Sequence, residues 1–81
     1  MPSTRPPLLI AFGRALKARR AELGITQEEV SHRSGLARSY VSGAERGAIN
    51  LSIGNAKRLA DAVELSLSEL FARAERLAGS A

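Results

Sequence analysis

Apolar residues along this chain recur three and four positions apart and nowhere alternate for long enough to make a strand. Leu9, Phe12, Leu16 and Leu23 fall on one stripe, with Ala11 and Ala15 beside it, so a first helix is expected from about Leu8 to Leu23, stopped by Gly24. Arg14, Lys17 and Arg19 lie largely off that stripe and should be solvated. A second, short helix is expected from Gln27 to Ser34, turning Val30 inward and placing Ser31, a small residue, where another helix must come close. Thr26 is suited to cap it, Glu29 stands where a capping box would need it, and Ile25 is placed as a staple for Val30. Gly35 lies where this helix must stop and reverse, a position that favours a positive φ. A third helix, Arg38 to Arg46, turns Val41 and Ala44 inward and ends at Gly47, with Leu36 plugging the same core from the turn. A fourth begins near the Ser52 cap and carries Ile53, Ala56, Leu59, Ala60 and Val63 at helical spacing. A fifth follows a Ser66–Glu69 capping box with the stripe Leu67, Leu70, Phe71, Ala74 and Leu77. Five helices and no strand predict an all-α fold.

The second and third helices, joined by a turn of three or four residues, make a helix-turn-helix over residues 26–46. Neither is long enough to be stable alone, so the rest of the chain must hold them. The outward positions of the third helix are Arg38, Ser39, Ser42, Gly43 and Arg46. A helix face meant only for water is usually filled with long charged residues of high helix propensity. Here it is small and polar, and Gly43 costs about 1 kcal/mol relative to alanine. Such a face suits close approach to another surface.

With 81 residues the chain has room for one domain, and a partner copy would help a core of this size. Residues 1–7, with three prolines, read as a disordered arm; 8–78 as the helical domain; and 79–81 as a tail. The net charge of +4 comes from the first third, where Arg5, Arg14, Lys17, Arg19 and Arg20 face only Glu22. A basic bias so placed suits an anionic partner and equally a solvated helix. With no cysteine, a disulfide framework and a thiolate metal site are both excluded. The single histidine, His32, has no metal-ligand spacing around it, the acidic residues form no general acid–base pair, and no Gly-rich phosphate loop occurs. We therefore expect no enzyme, no metal and no cofactor. Neither a secretory signal nor a membrane-spanning run is visible, and a cytoplasmic location fits.

The segments FGxxLKxxR at Phe12–Arg20, GITQEEV at Gly24–Val30, SGLARSYVSGAERG at Ser34–Gly47 and RLADAVELSLSEL at Arg58–Leu70 together resemble the phage-repressor/Cro-type helix-turn-helix regulators, the xenobiotic-response-element family. The stretch RSYVSGAERG is most similar to the controller proteins of restriction–modification systems. The resemblance implies a compact five-helix bundle of the lambda-repressor-like type. It implies a structural ion pair between Arg20 and Glu45, and base contacts in the DNA major groove from Arg38, Ser39, Ser42 and Gly43. Arg38 is the expected principal reader, since guanidinium fits guanine O6 and N7. Phosphate contacts are implied for Gln27, Tyr40 and Arg46, with Asn50 a further candidate in the following loop. Gln27 also fits a plain helix-start residue, and Tyr40 an aromatic at the core edge. The chain departs from the family pattern at Ala37, Ala44, Leu51 and Glu64, the last in place of a frequent glycine.

The function so implied is a sequence-specific regulator of transcription, a repressor or activator, binding double-stranded DNA as a homodimer on a two-fold operator, with its own promoter a candidate target. Two recognition helices about one turn of DNA apart supply specificity that one cannot. Leu67, Leu70, Phe71, Ala74 and Leu77 are the candidate dimer face, the alternative being that they close the monomer core. No small-molecule effector and no membrane are expected. The competing function is an antitoxin-type interaction module that also represses its own promoter.

Overall fold

The computed structural model describes residues 7–79; the expectations for an arm and a tail fall largely outside them. Five helices appear in the expected order: α1 (Pro7–Leu23), α2 (Gln27–Ser34), α3 (Arg38–Glu45), α4 (Ile53–Ala62) and α5 (Leu67–Ala78). Pro7, assigned above to the arm, is instead the first residue of α1, where its missing N–H costs nothing and its fixed φ suits a helix start. No strand occurs among the described residues.

The caps follow the residue types. Thr26, Ser52 and Ser66 each accept the backbone N–H three residues on with the side-chain oxygen, at 3.0 Å. Only Ser66 completes the reciprocal box, with Glu69 Oε1 accepting the Ser66 N–H at 2.8 Å. The box expected at Thr26 is half made, because Arg33, one turn on, donates to Glu29 Oε2 at 2.9 Å and draws that carboxylate away. Ala37 starts α3 with no side-chain cap. Gly35 takes φ of 75°, as the reversal between α2 and α3 requires. Glu64 adopts φ of 61°, a left-handed conformation that strains any residue with a Cβ.

Phe12, Leu16, Val30, Val41, Leu59, Val63 and Leu70 are the large fully buried side chains. α1 packs along α5 and crosses α3, while α2 rests on α3 and α4. Phe12 meets Phe71 with ring centroids 5.4 Å apart, tilted at 52°. Gly13 marks the closest approach: a Cβ there would overlap the Ala44 and Glu45 carbonyl groups, so α1 lies directly against the end of α3. The C-terminal carbonyls of α4 are held by guanidinium groups from two other helices. Arg19 donates to Val63 O at 3.0 Å and Arg33 to Ala62 O at 3.2 Å. Ile53, placed above on the apolar stripe of α4, is 77% exposed. It borders an open groove of about 450 Å³ with Leu8, Leu9, Leu51 and Phe71, which no described residue fills.

Candidate nucleic-acid interface

α3 is fixed at its far end by a carboxylate. Glu45 is buried, and its Oε2 accepts from Arg20 Nε at 2.6 Å while its Oε1 accepts from Arg20 Nη2 at 3.1 Å. This is the two-pronged geometry a planar guanidinium allows and an ammonium does not. The bond to Glu45 holds the Arg20 guanidinium above its ordinary pKa against the opposing effect of burial. Arg20 Nη1 also donates to Ile25 O at 3.1 Å, so one side chain of α1 ties the start of α2 to the end of α3.

Gln27 joins the same cluster. Its Nε2 donates to Glu45 Oε1 at 2.9 Å, so the amide is directed at the ion pair from the first position of α2. The turn is closed by serines. Ser31 Oγ donates to Leu36 O at 2.5 Å, and the Leu36 N–H donates to Ser34 Oγ at 3.1 Å. Ser31, expected where another helix comes close, here ties α2 to the turn through this hydrogen bond.

Arg38 and Ser39 are exposed at the start of α3, Ser42 is half-buried one turn on, and Arg46 is exposed just past its end. Arg46 Nη1 donates to Ser42 Oγ at 2.6 Å, pairing these two side chains in the free protein. Gly43 does not belong with them. It is buried under Ile49 of the following loop, whose Cγ2 would lie 3.1 Å from an added Cβ. Its smallness serves the seating of that loop, so the outward face of α3 consists of Arg38, Ser39, Ser42 and Arg46. Tyr40 is half-buried on the flank toward α4, and its hydroxyl accepts from Asn55 Nδ2 at 3.0 Å. Asn50 is exposed in the loop.

Ile49 and Asn55 were not singled out from the sequence. Ile49 carries one signal that could have found it, a large apolar residue in the loop six positions after a mid-helix glycine. Asn55, in the first turn of a capped helix, carries none.

The stripe on α5 mostly closes the monomer. Leu70 and Ala74 are fully buried, Leu67 and Phe71 pack on the same core, and Leu77 alone of the five is largely exposed at 45%. Leu70 and Ala74 are therefore unavailable to a partner copy, because they are already buried in the core of their own chain.

A protein-family model described as helix-turn-helix, HTH_3, matches residues 16–70. Control protein C.MunI of a Mycoplasma species is 35% identical over 68 residues, which cover 83% of this chain and 92% of that protein. The uncharacterized HTH-type transcriptional regulator y4dJ of Sinorhizobium fredii is 45% identical over 51 residues, 63% of this chain; the chain spans 66% of that relative. Among solved structures, the restriction–modification controller protein C.AhdI from Aeromonas hydrophila is similar at a TM-score of 0.74 and 44% identity, over 76% of this chain and 94% of that one. The C.Esp1396I controller tetramer in complex with its natural 35-base-pair operator gives a TM-score of 0.83 at 32% identity, over 90% and 96% of the two chains.

Proposed function

This chain belongs to the HTH_3 helix-turn-helix family, and from that premise we propose that it is a sequence-specific, double-stranded DNA-binding regulator of transcription of the controller type. The observation that carries the reading is α3 itself, locked in place by the Arg20–Glu45 pair and turning a small polar face with a free arginine outward. A helix so held can enter the major groove without first being ordered, and its short side chains let the backbone come close to the bases. Arg38 is the principal base reader, with Ser39 and Ser42 beside it. Arg46, Tyr40 and Asn50 lie along the phosphates. Gln27, at the positive end of α2, contacts phosphate through its backbone N–H or by releasing Glu45.

The regulator acts as a homodimer. A single α3 covers too few base pairs for specificity, and the operator-bound controller to which this chain is similar is a tetramer. Exposed Leu8 and Ile53 with the groove between them are a better candidate contact than the α5 stripe, and Leu77 is the part of that stripe left available.

The test is fluorescence anisotropy on the DNA upstream of the protein's own gene, with excess nonspecific competitor at two salt concentrations. Binding that survives competitor, saturates at a multiple of two protomers and weakens with salt is expected. Binding lost to competitor at both salts, on this duplex and on duplexes enriched by the protein from a random library, would remove the sequence-specific reading.

A further inference from the structure

Tyr40 and Asn55 form a cross-helix hydrogen bond, part-buried and spanning fifteen positions. Asn55 is well placed to orient the phenol, since its own backbone N–H is held by Ser52 Oγ at 3.0 Å and the residue sits in the first turn of α4. A phenol oxygen carries one proton and two lone pairs. The Asn55 amide can only donate through Nδ2, so it occupies a lone pair and leaves the Tyr40 proton to go elsewhere. No described residue accepts that proton. The amide also polarises the hydroxyl, which makes it a better donor. Tyr40 lies one turn before Gly43 on the flank roofed by Ile49, beside the outward face rather than on it. When a helix lies in a groove, its flanks face the sugar–phosphate walls, and a phosphate oxygen is an acceptor only.

We propose that Asn55 is a positioning residue for recognition of the DNA backbone: by donating to the Tyr40 oxygen it aims the Tyr40 O–H at one phosphate oxygen per half-site. The proposal rests on the DNA-binding reading above. Its chemistry gives it a signature different from that of a charged contact. A neutral donor releases no counterion, so its loss lowers affinity without changing the salt slope.

The experiment uses the full chain and a duplex enriched by the wild-type protein from a randomised library. Asn55→Ala, Tyr40→Phe and the double variant are titrated against that duplex and against copies carrying a methylphosphonate at each phosphate in turn. Each single variant should bind about three- to tenfold more weakly at an unchanged salt slope. The double variant should be no weaker than Tyr40→Phe. Neutralising one phosphate in each half-site should weaken the wild type and leave both single variants unaffected at that position. Thermal melts monitor folding, and Tyr40→Phe interrogates the same bond with almost no change of shape. If Asn55→Ala keeps the wild-type phosphate footprint, or if the two losses simply add, Asn55 does not position Tyr40. If the wild type enriches no duplex at all, the DNA-binding reading fails instead, a result distinct from either.

Discussion

Arg38 is exposed, stands in the first turn of α3, and makes no hydrogen bond or ion pair within the described residues. Arg20 spends its guanidinium on Glu45 and Ile25, and Arg33 spends its own on Glu29, Ala62 and Glu64. The contrast separates an arginine with no partner among the described residues from those that hold the fold, and it supports the base-reading role proposed for Arg38. Arg38→Ala should therefore relax base preference at one position of each half-site, at a cost of about 1–3 kcal/mol in binding, with melting behaviour unchanged. Selection from a random library gives the preference profile, and identical profiles for the two proteins would sink the assignment. Glu45→Ala should do the opposite and cost about 3 kcal/mol of folding stability, since it strands a largely buried guanidinium and the Gln27 amide together. Urea denaturation measures that loss. The Arg20–Glu45 pair was legible from the family resemblance, and its bidentate form follows from the planar group. Gly43 was not legible, because a missing side chain fits a close ligand and a close neighbour equally well; only the position of Ile49 decides between them.

At the scale of elements, spacing and caps placed all five helices to within a residue or two, because α2, α4 and α5 each start at a Thr or Ser cap, the Gly35 turn marks where α3 must begin, and each stripe keeps helical period. Periodicity tells which way a side chain points but not whether anything stands there. Ile53 keeps the period of α4 and yet faces an open groove, while Leu70 and Ala74 keep the period of α5 and are fully buried in the core. The link after α4 is the strained one. Glu64 holds φ of 61°, and its carboxylate contributes only an exposed, solvent-screened pair with Arg33 at 3.1 Å. Glu64→Gly should relieve more strain than it loses in contact, stabilising the domain by up to about 1 kcal/mol and raising the melting temperature by a few degrees. A lower melting temperature would mean that the Arg33 clamp on α4 depends on that carboxylate.

Across the whole molecule, the core is built largely from alanine at the helix contacts, with Ala15, Ala44, Ala60 and Ala74 all buried. Small contacts bring helix axes close, and at Gly13 the seat on the Ala44 and Glu45 carbonyls leaves no room for a Cβ. That seat governs how the shortest helices breathe. An isolated eight-residue helix would protect none of its amide hydrogens from exchange with solvent. Because the end of α3 cannot fray without lifting α1, the interior amides of α3 should exchange as slowly as those of α1, through global unfolding alone. Native-state hydrogen–deuterium exchange measures this residue by residue, and fast exchange in α3 beside slow exchange in α1 would refute it. A recognition helix protected in this way meets its ligand already rigid. Complex formation should then cost little ordering entropy and show a small heat-capacity change, set by surface burial rather than by folding.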